Sequence, residues 1–201
     1  VQAIQIKQPI LKKALGLAEV KLISASSGIG EENEISSLYP FLPVERAFSI
    51  LGEILPDFKI LYNMNKLPKE ALMVRMLRIP WTVLIALVVV IIVDLKYWWV
   101  VLGLIVIIYS RRYFMYRNAR YKIEGSFIQF KVGGLSTTVF LTTRRLVTEI
   151  EIEQSILQKK WDLVSMVTYN RTAIFHVEVL EDIPSSVGEE FRQWYVDRLD
   201  D

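Results

Sequence analysis

Residues 80–110 read PWTVLIALVVVIIVDLKYWWVVLGLIVIIYS, two uncharged apolar runs separated only by Asp94-Leu95-Lys96. A soluble domain rarely needs about 28 apolar residues with one short polar break; a membrane hairpin does, as two helices in lipid joined by a polar turn. The competing reading is a helical hairpin buried in a soluble protein, or a re-entrant loop. Each run of about 14 residues makes about 21 Å of helix, short of the ~30 Å hydrocarbon core. The flanks are therefore expected to contribute. Leu72, Met73, Val74, Met76, Leu77 and Ile79 extend the first run backwards, and Tyr109, Tyr113, Phe114 and Tyr116 extend the second. Arg75 and Arg78 fall inside the backward extension, where long stems would snorkel to the headgroups. Trp81 opens the first helix, and Trp98 and Trp99 lie by the turn. Together with Tyr109, Arg111 and Arg112, these residues are expected to anchor the interface.

Orientation follows from the basic residues. Lys66, Lys69, Arg75 and Arg78 precede the hairpin, and Arg111, Arg112, Arg117, Arg120 and Lys122 follow it. The turn has one Asp and one Lys. The positive-inside rule then places both ends of this chain in the cytoplasm, with Asp94–Lys96 on the far side.

Composition sets wider limits. The chain has 201 residues, 52% hydrophobic, with a net charge of +2 and no cysteine; its mean hydropathy is +0.32. It is too apolar for a disordered chain, and disulfide and thiolate chemistry are excluded. Residues 1–25 carry Lys7, Lys12, Lys13 and Lys21 and do not read as a signal peptide.

Next comes self-similarity. VQAIQIKQPILKKALGL (1–17) aligns without a gap on VTEIEIEQSILQKKWDL (147–163), with eight identities in 17 positions at an offset of 146. Chance would produce about one. Each copy ends in an amphipathic helix. Its apolar stripe is Val44, Ala47, Phe48, Leu51 and Leu55 in the first, and Val187, Phe191, Trp194, Tyr195 and Leu199 in the second. The second copy reads as five or more antiparallel strands, with turns at Gly125-Ser126 and Gly133-Gly134. Its closing helix starts near Ser185, with Ser185 or Ser186 as cap and Glu189 as capping-box partner. Such a unit is a small β-barrel or sandwich with a helix at one end. The first copy supplies only the back half: two strands, a turn at Gly28-Ile29-Gly30, a short strand near Glu34–Leu38, and a helix. Alone it would expose an unpaired edge, so its leading strands are expected upstream of Val1.

The Tyr121-Lys122-Ile123-Glu124-Gly125 strand, the Gly-Gly turn, EIEIEQSILQKKWDL and the closing helix, set behind a short hairpin, together resemble the bacterial pleckstrin-homology-like (PH-like) domain family. The nearest group is its membrane-anchored, YdbS/YdbT-like one. That group's recurrent segment, a strand ending in Gln followed by "sPlQrrlGL", stands here as QPILKKALGL (8–17) and QSILQKKWDL (154–163). The second copy replaces the Pro and Gly with Ser155 and Asp162. The tandem arrangement looks like the C-terminal part of a YdbT-like member. The resemblance implies a mainly β fold: a PH-like split barrel capped by a C-terminal helix, plus the transmembrane hairpin and a partial second PH-like unit. The expected parts are 1–58, the back of a PH-like domain; 59–79, a basic linker; 80–110, the hairpin; and 117–201, a complete PH-like domain. It implies no catalytic activity and supplies no ligand.

Candidate chemistry is sparse. His176, the only histidine, alternates with Phe175 and Val177 in a strand, and one histidine without cysteine makes a poor metal site. No cofactor, metal or nucleic acid is expected. Glu149, Glu151 and Glu153 read as a solvated strand edge. Lys12, Lys13, Arg144, Arg145, Lys159, Lys160 and Trp161 cluster around the repeated segment and are candidate membrane-surface or lipid contacts, each cation contributing about 1 kcal/mol near an anionic leaflet. The bland alternative is ordinary solvated charge. The sequence therefore points to a non-enzymatic, multi-pass protein of the bacterial cytoplasmic membrane. Its cytoplasmic PH-like domains would bind a protein partner or oligomerise in envelope or stress physiology. Direct recognition of anionic lipid is the alternative. A third reading, an accessory subunit of a transporter or membrane enzyme, would want buried polar residues in the hairpin, and Pro80–Ser110 offers only Thr82 and the turn pair.

Overall fold

The computed structural model describes residues 3–23, 36–54, 61, 63–170 and 176–197. The Gly28-Ile29-Gly30 turn, Leu55 and Leu199 lie outside these. The elements run β1 (Ala3–Gln8), α1 (Ile10–Ala14), β2 (Leu17–Ile23), β3 (Ser36–Pro43), α2 (Val44–Ile54), β4 (Asn65–Lys66), α3 (Lys69–Leu77), α4 (Trp81–Val93), α5 (Trp98–Asn118), β5 (Arg120–Glu124), β6 (Phe127–Val132), β7 (Thr137–Thr143), β8 (Val147–Glu153), α6 (Ile156–Lys160), β9 (Leu163–Asn170), β10 (His176–Pro184) and α7 (Ser185–Val196).

Among the described residues the strands form two sheets, β3-β2-β1-β7-β6-β5-β4 and β10-β9-β8. Neither closes, so the expected barrel is two open sheets. The reason lies at β7: it takes β1 as its neighbour, from Ala3↔Thr142 to Gln8↔Thr137. The chain then leaves through a 3-10 turn at Arg144–Leu146 and starts the second sheet with β8. The edge of the first segment, for which partner strands were expected upstream of Val1, is here paired by β7, about 130 residues downstream. Hairpins β1–β2 and β8–β9 pair in the same register: Ala3↔Ile23 through Lys7↔Glu19 matches Glu149↔Tyr169 through Glu153↔Ser165 at the 146-residue offset.

The larger core lies between the sheets and is closed by two helices. Phe130, Phe140 and Met166 meet Phe191 and Trp194 of α7, and Ala71 and Val74 of α3 join them. α7 approaches β9 closely at Gly188, where a Cβ would fall 2.6 Å from Val164 Cγ2. Its start differs from expectation: Pro184 is the cap residue and no side chain caps it. The capping box sits instead on α6, where Ser155 accepts from Gln158 N and the Gln158 side chain accepts from Ser155 N. A smaller core covers the other face of the long sheet, with Ala47 and Leu51 of α2 over Ile4, Ile6, Val20, Val139 and Leu141.

The stretches Lys69–Val93 and Leu95–Asn118 are long and apolar enough to cross a membrane, and only 11% and 6% of their most apolar windows is buried. The first is interrupted at Arg78-Ile79-Pro80, because Pro80 has no N–H to donate and disfavours helix at the residue before it. The expected backward extension is therefore a separate helix, α3, two of whose residues belong to the sheet core. α4 alone spans 13 residues, about 20 Å; α5 spans 21, about 31 Å. Asp94 closes the turn by accepting from Lys96 N at 3.0 Å.

Candidate anion-binding cavity at the base of the hairpin

The site begins with a buried carboxylate. β10 shifts register between Leu180 and Ile183, and Asp182 adopts φ 62° there, a left-handed conformation that Asp tolerates better than most residues. Asp182 is fully buried. Arg75 Nε donates to its Oδ2 at 2.8 Å, and Arg78 Nη2 and Gln158 Nε2 donate to its Oδ1 at 2.7 and 2.8 Å. Arg75 Nη2 also reaches the Glu181 carbonyl at 3.0 Å, and Arg78 Nη1 the Glu181 carboxylate at 3.1 Å. A buried charge survives only when its lone pairs are matched in this way. The consequence is mechanical: α3, and with it the start of the hairpin, is tied to β10.

Beside this clamp lies a cavity of about 390 Å³, lined by Arg75, Arg78, Ile79, Pro80, Trp81, Thr82, Ile108, Arg111, Arg112, Met115 and Glu181. Arg112 Nη1 donates to the Arg78 carbonyl at 2.6 Å, and its guanidinium lies 5.3 Å from the Tyr109 ring centroid. Asp182 and Glu181 balance Arg75 and Arg78. Among the described residues neither Arg111 nor Arg112 has an acidic partner. Surplus guanidinium charge thus sits against an apolar wall of Ile79, Trp81, Ile108 and Met115. Planar, multi-donor guanidinium groups suit phosphate and carboxylate oxygens. The arrangement can hold an anion with an apolar continuation.

Five of the residues expected to anchor the interface, Arg75, Arg78, Trp81, Arg111 and Arg112, line this one cavity. Arg75 and Arg78 do not reach outward as expected; Arg75 is buried and both are held by β10. Trp98 and Trp99 stand exposed at the opposite end of the hairpin. The other candidates are spread over separate elements. Lys12 donates to Glu19 at 2.8 Å and to the Pro40 carbonyl at 2.9 Å, and lies 4.7 Å from the Phe41 ring centroid. That hydrogen bond from Lys12 holds the Glu19 carboxyl below its ordinary value against partial burial, with Lys21 helping. Lys160 stacks over Trp161 at 5.3 Å. Arg144 N donates to the Ser126 carbonyl, so Arg144 and Arg145 lie beside the β5–β6 turn, at the far end of β7 from the hairpin.

Sequence reasoning missed Asp182, Glu181, Gln158 and Lys131. Asp182 had no local signal, since both arginine partners lie more than 100 residues earlier. Lys131 is half-buried on β6 beside Arg120, its cross-strand partner. Burial pushes its ammonium below the usual lysine range, and Lys13 and Arg120 push the same way. Two further cations among the apolar positions of β5 and β6 were the available hint.

Residues 72–199 match the family model described as "Bacterial PH domain". The chain is similar to the transmembrane protein YdbT of Bacillus subtilis (strain 168), 26% identical over 206 residues, covering 97% of this chain and 40% of that relative. The chain thus spans about 40% of the length of that curated relative. No solved structure matches.

Proposed function

The chain belongs to the bacterial PH domain family, and from that premise we propose that it holds a PH-like domain at the bacterial cytoplasmic membrane and reads anionic lipid through the arginine-lined cavity. α4 and α5 cross the bilayer and return, with both ends of this chain cytoplasmic. The excess of Lys and Arg on the two outer flanks over the single Lys96 at the turn supports this orientation. The short α4 requires local bilayer thinning or a tilt of the longer α5, a modest cost per ångström of mismatch. The cavity then sits at headgroup depth. Arg111 and Arg112 face a lipid phosphate, and Ile79, Trp81 and Ile108 face the start of the acyl chains. The role is binding, not catalysis.

One observation carries this reading: the guanidinium groups of Arg111 and Arg112, without acidic partners among the described residues, beside an apolar wall where the hairpin leaves the domain. A thermal-unfolding series tests it, using the full chain in neutral detergent with added phosphatidylglycerol, phosphatidylcholine or inorganic phosphate. Lipid bound only by the folded state at 100 times its Kd adds about 2.7 kcal/mol. The melting temperature is expected to rise with phosphatidylglycerol and not with the other two, and Arg111→Gln/Arg112→Gln is expected to abolish the rise. An equal rise with phosphatidylcholine, or an undiminished rise in the double variant, refutes lipid recognition here and leaves the partner-binding reading.

A further inference from the structure

We infer that the tips of α1 and α6, the two copies of the repeated segment, are wedges that dip into the bilayer surface beside the hairpin. Leu11 is 79% exposed and Leu15 73%, with Ile10 and Phe41 also exposed beside them; Ile156, the counterpart of Ile10, is 92% exposed. A group of large apolar side chains exposed together, as on the first tip, marks an interaction surface; on the second tip Ile156 alone is held out, while Leu157 and Trp161 pack against the core. Each tip also carries cations: Lys12 and Lys13 on the first, Lys159 and Lys160 on the second.

Their placement selects the partner. The turn before β7 packs on α5: a Cβ on Gly134 would meet Met115 Cγ at 3.3 Å, and Asn118 donates to the Gly134 carbonyl. β7 begins at Thr137, which pairs with Gln8, two residues before α1. α1 therefore projects at the hairpin end of the long sheet. On the second sheet, Glu153, Gln154 and Ser155, which lead into α6, share a cleft with Arg78, two residues before Pro80. Both tips thus lie at the end where the hairpin leaves the domain, and the Gly125-Ser126 turn lies at the other.

A bilayer with an anionic surface fits this combination: apolar tips enter the headgroup boundary while lysines meet lipid phosphate. Lys12 is partly neutralised by Glu19, but Lys13, with Lys131 and Arg120 behind it, adds further positive charge to this end. The wedges require only that the hairpin enters the bilayer, and they are independent of what fills the arginine cavity.

The chain has no cysteine, so Leu11→Cys, Ile156→Cys and, as control, Ser126→Cys each carry one environment-sensitive fluorophore. The full chain is reconstituted into vesicles of equal parts phosphatidylcholine and phosphatidylglycerol, with a nitroxide high on the acyl chain as quencher. At least about threefold more quenching is expected at positions 11 and 156 than at 126, unchanged when protein is diluted into excess lipid. Quenching at either position no greater than at 126 overturns the inference. So does quenching lost on dilution, which would mean that a second copy covers the patch.

Discussion

Asp182 joins three segments that are far apart in the chain: α3 and the residue that ends it through Arg75 and Arg78, α6 through Gln158, and β10 through its own backbone. At this scale the structure and the sequence diverge most. Arg75 and Arg78 sit beside an apolar run, and local composition alone makes them interface anchors. Their counter-charge arrives only when β10 folds against α3. Asp182→Asn keeps the side-chain shape, tolerates positive φ and still accepts from Gln158, but leaves buried Arg75 without an opposing charge. The expected loss is about 3–5 kcal/mol, read from urea unfolding in detergent. A loss under about 1 kcal/mol would mean the clamp is solvated and does not hold the hairpin.

Short elements show how matched sequence becomes matched geometry. Gln8 Nε2 reaches the Leu17 carbonyl at 3.5 Å, and Gln154 Nε2 reaches the Leu163 carbonyl at 3.0 Å, the same bond at the same offset. The Gln that ends the strand thus closes the loop around the short helix in both places. The caps differ. α1 begins after Pro9 with no side-chain cap, whereas Ser155 and Gln158 form a capping box on α6. Ser155→Ala is expected to lower stability by about 1 kcal/mol in thermal unfolding; no loss would mean that Gln158, through Asp182 and Ser165, holds α6 unaided. The strands were legible from period-two alternation and the long helices from apolar length. The start of the hairpin helix at Trp81 was legible, but a separate helix α3 before Pro80 was not drawn from the sequence, because apolar residues continue on both sides of the proline and Ala71 and Val74 find their partners only in the sheet core.

The long sheet joins the two ends of the chain. β1 enters between β2 and β7, and Gln5 donates across to Glu178 of β10 at 2.8 Å. Segments read separately in sequence therefore share hydrogen bonds and two cores. Fluorophores on Lys21→Cys and Gln193→Cys, one in each segment, are expected to report coincident urea transitions. Separated midpoints would show that β1–β7 pairing does not couple them. The sequence by itself determined what depends on neighbours in the chain: the apolar hairpin, the amphipathic helices, the matched segments and their common strand–turn–strand pattern. The tertiary structure decided which strand filled β7's open edge, which carboxylate met Arg75 and Arg78, and which scattered arginines shared one cavity. Hydrophobic length and periodicity are local and additive. Edge pairing and ion pairing depend on partners that come within hydrogen-bonding distance only after more than a hundred residues of chain have folded back.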